Sequence, residues 1–215
     1  SFLNYFDPTG RPTGQNQEEN LDDANGRAIW ALGEMTATRM LPVSVRERAH
    51  RLLLGAMRHM RKIHSPRAAA FIIKGLHAFC GTCEDEGPVA EIKLMADRLL
   101  HGADAHFSPR WKWIEPSVTY GSAVIPEALL LAWAATGDTT YREAASATMH
   151  FLLGHLFKDG HFRGISNNGW LHPDIEAHPF GEQPIEAAYA VLALNRFHQL
   201  LHDDFYCQRR DMAFA

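Results

Sequence analysis

Residues 123–135 read Ala-Val-Ile-Pro-Glu-Ala-Leu-Leu-Leu-Ala-Trp-Ala-Ala, and this stretch decides the fold because its single charge is that of Glu127. Two other stretches are similar. Residues 185–194 carry only the charge of Glu186, and residues 68–73 carry none. A helix that is apolar on all sides must be enclosed by protein. We therefore predict buried helices at these three places.

A second kind of helix is amphipathic. Between residues 45 and 63, apolar side chains recur at helical spacing opposite arginines and lysines. A helix with one apolar stripe lies on the surface. Buried and surface helices alternate along the chain, which predicts an all-α fold, an (α/α) toroid of helical hairpins in two concentric layers. The inner helices of such a wall end at one rim, and that rim is where we expect the functional site.

Local signals set the expected ends of the first helices. Residues 1–20 are rich in turn formers and are predicted to form an arm or loop, and residues 21–215 the helical-hairpin domain. Asp22 or Asp23 is expected to cap the first helix, and Ser44 with Glu47 to form a capping box. The predicted helices cover residues 24–40, 44–63, 66–79, 87–101, 123–136, 139–156, 184–201 and 203–215.

Further caps and turns follow from short motifs. Ser65 before a proline is expected to cap the third helix, Ser122 the fifth and Asp138 the sixth. Gly137 is expected to end the fifth helix. Asp159-Gly160 is a signal for a tight hairpin.

Composition excludes several classes of function. The chain has 215 residues and a net charge of -4, so a basic nucleic-acid surface is not expected. No apolar run reaches the length of a membrane span, and three cysteines do not make a disulfide framework. The chain starts without the basic and apolar layout of a secretory signal, so the expected location is the cytoplasm. Nucleotide-binding glycine motifs are absent, and no cofactor or metal is predicted.

Two long connections interrupt the helical pattern, over residues 107–121 and 157–183. Both lead into the start of a buried helix, so both are expected at the same end of the wall. Connections of this length are usually functional or disordered. These two are rich in tryptophan and glycine, which indicates ordered, functional loops.

Polar residues gather in the long connections and at the starts of three helices, those predicted at residues 24–40, 123–136 and 184–201. Carboxylates beside flat aromatic rings suit a sugar, because the rings cover its C–H faces while polar groups bind its hydroxyls. The predicted partner is therefore a mono- or oligosaccharide. The expected substrate-binding residues are Asp23, Asn25, Arg27, Trp111, Trp113, Tyr120, Trp170, Glu182 and Gln183.

Paired carboxylates are also what glycoside hydrolysis requires, since one acts as general acid and the other as nucleophile or base. Glu115, Glu127 and Glu186 are the predicted catalytic residues. A purely structural interpretation competes with this one, because the helix dipole alone favours a carboxylate in a first turn. The occurrence of the same pattern at three helix starts favours the functional interpretation.

Cysteine and histidine give weaker signals. Cys80 and Cys83 form one Cys-x-x-Cys pair, but a structural zinc site usually needs four ligands and no second pair exists. His198 and His202 lie four apart without the acidic partner of a metalloprotease motif. We interpret these residues as structural.

At the rim residues the chain resembles the six-hairpin glycosidase-like superfamily, and within it bacterial proteins described as glycosyl hydrolases or as associated with glycosyl transfer. Three segments carry the resemblance: residues 23–33, residues 113–130 with Trp-Ile-Glu-Pro and Pro-Glu-Ala-Leu-Leu, and residues 183–188 with Gln-Pro-Ile-Glu-Ala-Ala. The resemblance implies a sugar-binding funnel at the rim of the inner helices. It does not choose among the hydrolases, lyases, phosphorylases and epimerases of the superfamily.

Four hairpins, the last one incomplete, cannot close a ring of six. The expectation is a fragment of a longer chain, a ring completed by another copy or chain, or an open arc. Three functions are weighed: a carbohydrate-active enzyme, with a glycoside hydrolase favoured; a sugar-binding or regulatory module without catalysis; and a scaffold that binds protein. A sugar epimerase or lyase belongs to the first class and would use rim histidines such as His172 and His178.

Overall fold

The computed structural model describes residues 2–82, 86–175 and 178–214, except for the side chains of residues 104 and 105. Helices packed on helices make up most of this part of the chain, so the predicted all-α class is confirmed. The elements are α1 (Gln15–Glu18), α2 (Asp22–Ala37), α3 (Val43–Met60), α4 (Pro66–Cys80), α5 (Gly87–His106), α6 (Val124–Thr136), α7 (Thr139–Leu156), β1 (Phe157–Lys158), β2 (His161–Phe162), α8 (Pro184–Leu201) and α9 (Asp204–Phe214).

The chain divides into two compact units, Ser1–Ala96 and Asp97–Ala215. In the first unit α2 packs against both α3 and α4. In the second, α6 packs against α7 and α8, and α8 against α9. Each unit therefore holds a pair of contacting helices, α2–α4 or α6–α8, with further helices packed on them: α3 on α2, α7 on α6 and α9 on α8. Closure into a toroid, and a single hairpin domain from residue 21 onward, stay predictions.

In the first unit α2 and α4 approach so closely that their backbones touch. A Cβ atom added to Gly33 would overlap the backbone of Gly75, and one added to Gly75 would lie 2.5 Å from the carbonyl oxygen of Ile29. A Cβ on Gly26 would lie 2.8 Å from the carbonyl oxygen of Ala68. Because only glycine lacks a Cβ, these positions permit the contact. Most of α4 is buried, as predicted.

The helix starts of the first unit partly differ from the predictions. The Ser65 hydroxyl accepts a hydrogen bond from the amide of Ala68, so the predicted cap of α4 is confirmed. The predicted capping box at Ser44 is wrong, because α3 begins at Val43 and has no side-chain cap. The predicted aspartate cap of α2 is also wrong, since Leu21 occupies the cap position. Asp22 serves α4 instead: its Oδ2 accepts from the amides of His64 and Ser65, at 2.9 and 3.0 Å.

In the second unit α6 is almost wholly buried, ends at Gly137 in the left-handed conformation (φ 76°), and is followed by α7, which Asp138 caps. These three predictions are confirmed. The predicted Ser122 cap is wrong, because Ala123 holds the cap position and the Ser122 hydroxyl bonds to Glu186.

The predicted hairpin at residues 159–160 is confirmed. Phe157 pairs with Phe162 across the two strands, and the turn residues Asp159 and Gly160 have φ of 52° and 79°. Two consecutive positive φ values are what a two-residue type I′ turn requires. This hairpin carries the chain from α7 into the second long connection.

Helix α8 begins at Pro184, as predicted, but it is not enclosed on all sides. Ile185 and Leu192 are 37% and 48% exposed, while Glu186 and Tyr189 are buried. The expectation of an enclosed helix is therefore wrong for this face of α8. None of the helices in the described ranges combines the length and the apolar character needed to span a membrane.

Candidate functional site

The predicted site residues fall into both units. Asp23, Asn25 and Arg27 belong to the first unit, and the others belong to the second. Their predicted roles in catalysis and sugar binding stay predictions, while the structure shows the surroundings of each side chain.

The three residues of the first unit have structural partners. The side chain of Asn25 accepts from the amide of Phe2 at 2.7 Å and donates to the carbonyl of Leu21 at 2.8 Å, so it ties the N-terminal arm to α2. Asp23 accepts from the hydroxyl of Ser65 at 3.3 Å and lies 3.9 Å from Arg27. Asn25 also lines a cavity of about 450 Å³ between the arm, α2 and α3.

Two tryptophans of the first long connection are buried. Trp113 is 0% and Trp111 is 5% exposed, and both pack on Phe151 of α7, with ring centroids 6.4 and 5.1 Å away. The indole N–H of Trp111 donates to the carbonyl of Glu115 at 3.0 Å. These contacts are those of core residues, and Trp113 has no open face for a ligand.

Tyr120 and Trp170 form a partly exposed pair of rings, here called the aromatic pair. Their ring centroids are 6.2 Å apart, with planes inclined by 46°. The pair joins the two long connections, because Val118 and Leu171 exchange backbone hydrogen bonds of 2.9 and 3.2 Å beside it. Trp170 has a positive φ of 57°, an unfavourable conformation for a non-glycine residue that is often found at functional sites.

Glu186 lies in the first turn of α8 and holds the turn that follows Tyr120. Its carboxylate is 1% exposed; Oε2 accepts from the amide of Gly121 at 2.8 Å, and Oε1 accepts from the hydroxyl of Ser122. Gly121 has φ of 61°, and a Cβ there would lie 3.1 Å from the ring of Tyr189. A residue more than sixty positions away thus fixes the loop that carries one ring of the aromatic pair.

The other predicted polar residues of this unit differ in their exposure, although their sequence motifs are similar. Glu127 is 3% exposed in the first turn of α6, whereas Glu115 and Gln183 are half-buried. Glu182 is exposed; it accepts from the amide of Gly164 at 3.2 Å and lies 3.8 Å from a guanidinium nitrogen of Arg163. The structure therefore brings Tyr120, Trp170 and Glu186 into one connected arrangement.

A cleft of about 1080 Å³ opens in the second unit, between the first long connection, the end of α7, the hairpin and the second long connection. Of the predicted residues, Trp111 and Glu182 line it. Sequence reasoning missed most of its basic residues. The density of arginine, lysine and histidine in residues 155–178 was the signal that could have found them. The basic lining residues are Arg110, His155, Lys158, Arg163, His172 and His178.

The partner of His155 fixes its ring orientation. Its Nδ1 lies 2.9 Å from the carbonyl oxygen of Phe151. A carbonyl can only accept, so the tautomer assigned from this contact carries its proton on Nδ1, and Nε2 is the atom left for a ligand. The described residues contain no group of three or more His, Cys, Asp or Glu side chains that could hold a metal ion. Cys83 of the Cys-x-x-Cys pair lies outside the described residues.

Comparison with protein-family models, with curated proteins and with solved structures gave no match in any of the three.

Proposed function

We propose that the chain belongs to a carbohydrate-active protein and that its second unit binds a mono- or oligosaccharide at the aromatic pair. The observation that carries this proposal is that Tyr120 and Trp170, from two separate connections, lie 6.2 Å apart and partly exposed, on loops tied to each other and to Glu186. Two such rings suit the C–H faces of a pyranose, while neighbouring polar groups suit its hydroxyls.

Glycoside hydrolysis is the reaction we propose. It needs a general acid within hydrogen-bond reach of the glycosidic oxygen and a second carboxylate nearby. The candidates remain Glu115, Glu127 and Glu186, and Glu182 is a reserve candidate. The more exposed carboxylates are tested first. Glu182 is exposed and Glu115 is half-buried, whereas Glu127 and Glu186 are buried.

The experiment is a panel of neutral and charged oligosaccharides scored for both binding and cleavage. Replacing each of the four glutamates by glutamine tests the carboxylates, with Glu143→Gln on the exposed face of α7 as the matched control. Removal of a general acid is expected to lower turnover about a hundredfold or more while the protein stays folded. Cleavage that survives all four substitutions would exclude the proposed mechanism. Binding without any product would instead favour the non-catalytic binding module.

A second candidate, a sugar epimerase or lyase, is favoured by the three histidines of the cleft. Imidazole groups carry protons between carbon and solvent near neutral pH. Incubation of sugars in heavy water separates the two candidates. An epimerase or lyase would exchange or remove a carbon-bound hydrogen, which mass spectrometry detects, whereas a hydrolase would release shorter sugars without deuterium on carbon.

The wider assignments are also proposals. Membership of the six-hairpin glycosidase-like superfamily is supported by the pairing of α2 with α3, α6 with α7 and α8 with α9, as in an array of helical hairpins. Completion of the wall by further sequence or by a second copy would accord with the exposed apolar face of α8. A cytoplasmic location and the absence of nucleic-acid partners rest on composition.

A further inference from the structure

The cleft of the second unit is richer in basic groups than the chain as a whole. Among the described residues, its lining has six basic side chains, three of them histidines, and three acidic ones, Asp159, Asp174 and Glu182. The whole chain has 34 basic residues, counting its 13 histidines with its 21 lysines and arginines, against 25 acidic residues. With histidines neutral, these lining residues carry three positive and three negative charges, whereas the whole chain has a net charge of -4, so the cleft is less negative than the chain and its three histidines add further hydrogen-bonding groups.

The cleft already holds one carboxylate, and that carboxylate belongs to the protein. Glu182 receives the amide of Gly164 at 3.2 Å and faces Arg163 at 3.8 Å. An arginine with a backbone N–H is a common arrangement for binding carboxylates and phosphates. The charges of Arg163 and Glu182 cancel, so a negative charge on a ligand must be neutralised by other groups.

Arg110 and Lys158 are the groups that can neutralise a negative charge on a ligand. Both line the cleft, both are exposed, and neither has an ion-pair partner among the described residues. His155 adds Nε2, and His172 and His178 line the same cleft. Asp159 and Asp174 remain as acceptors for hydroxyl groups.

We propose that the saccharide bound by the second unit is an anionic sugar, and that its carboxylate or phosphate group binds in this cleft at Arg110 and Lys158. The inference rests on the proposed function, because it names the class of sugar that the same unit takes. The aromatic pair and the cleft share a segment, since Leu171 lines the cleft and directly follows Trp170.

The test is calorimetric titration of the full chain with glucose, glucuronate, glucose 6-phosphate and inorganic phosphate. One charged sugar is expected to bind about tenfold or more tightly than glucose, because hydrogen bonds to ionised groups are the stronger ones. Its preference should weaken with added salt. The double variant R110Q/K158M is expected to bring its affinity down to that of glucose. Arg196→Gln, which changes an arginine of α8 outside the cleft, is expected to leave that affinity unchanged.

Each outcome separates this inference from the proposed function. Tighter binding of glucuronate identifies a carboxylate ligand, and tighter binding of glucose 6-phosphate identifies a phosphate; both support the inference. Equal binding of glucose and the charged sugars overturns it and leaves saccharide binding intact. Binding of inorganic phosphate alone overturns it as well, since the site would then be a simple anion site. Failure of an extended glycan panel to bind at all overturns the proposed function itself.

Discussion

The helix pairs α2–α4 and α6–α8 each bring two helices into direct contact, but they begin differently. In the first unit a short link leads into α4, and Asp22 and Ser65 bond to the backbone at its start. In the second unit long connections lead into both helices, and Glu186 bonds to a turn of the other connection. The first pair uses its polar side chains at the helix starts themselves. The second uses Glu186 to hold the loop that carries Tyr120, which is partly exposed.

The two pairs also differ in their packing. At Gly26, Gly33 and Gly75 the backbones of α2 and α4 lie so close that a Cβ atom would not fit. We infer that the first pair is specialised for stability and the second for binding. Substitutions in the two units test this contrast, and their expected effects decrease from the glycine contact to the N-terminal arm.

The largest effect is expected at the glycine contact. Gly33→Ala would force α2 away from α4 and lower the free energy of unfolding by about 3 kcal/mol or more. Gly55→Ala is the matched control, because a Cβ at this exposed position of α3 meets no atom within 4 Å. It is expected to raise stability by about 0.5–1 kcal/mol. Denaturant unfolding measures both, and equal effects at the two positions would contradict the close contact.

Glu186 comes next. Glu186→Ala leaves the amide of Gly121 and the hydroxyl of Ser122 without their acceptor, at a cost of about 2 kcal/mol. Saccharide affinity should fall with it, because the loop of Tyr120 loses its anchor. Glu186→Gln keeps one acceptor oxygen and should recover most of both losses. If Glu186 is catalytic rather than positioning, the glutamine variant would bind sugar normally and yet lose turnover.

A smaller effect is expected from the helix caps. Ser65→Ala removes the cap of α4 and is expected to lower stability by about 1 kcal/mol. Ser44→Ala serves as the control, since α3 has no side-chain cap and its stability should change little. Thermal unfolding of the two variants compares them directly. A matching loss at Ser44 would restore the rejected capping box.

The smallest effect concerns the arm of the first unit. A hydrogen bond from the Thr9 hydroxyl, followed by one from the amide of Arg11, lowers the pKa of Asp7 below its ordinary value. A carboxyl with a lowered pKa stabilises the folded turn above its unfolded pKa, and that contribution is lost as the pH falls through the folded pKa. NMR shifts of residues 7–11 should therefore change below about pH 4. Asp7→Asn should remove this acid-dependent change, and an unaltered response in that variant would contradict the turn.

Sequence reasoning predicted the helices well where the signal is local. Pro184, Gly137, Asp138 and the Asp159-Gly160 turn each constrain their own backbone, and all four act as expected. It failed where a polar side chain had a choice of partners. Ser122 could cap its own helix or bond to Glu186, and only the packed fold decides between them.

The candidate site was harder to predict for the same reason. In the sequence, Trp113 and Tyr120 look equivalent, because both are aromatic residues of the first long connection. In the structure, Trp113 is enclosed beside Phe151, whereas Tyr120 is partly exposed beside Trp170. Burial of a loop residue depends on the helix it meets, and no local pattern encodes that contact. Most basic residues of the cleft were missed because they form no recognised motif, although five of the six lie between residues 155 and 178.

The central claim is that the long connections of the second unit build a saccharide site on the aromatic pair. Calorimetric titration with a glycan that the unmodified chain binds tests this site. The titration compares the unmodified chain with Trp170→Ala and with Phe214→Ala, which changes an exposed aromatic residue at the end of α9. A saccharide site at the aromatic pair predicts about a tenfold loss of affinity for Trp170→Ala and none for Phe214→Ala. Unchanged affinity in Trp170→Ala, with the fold intact, would contradict it.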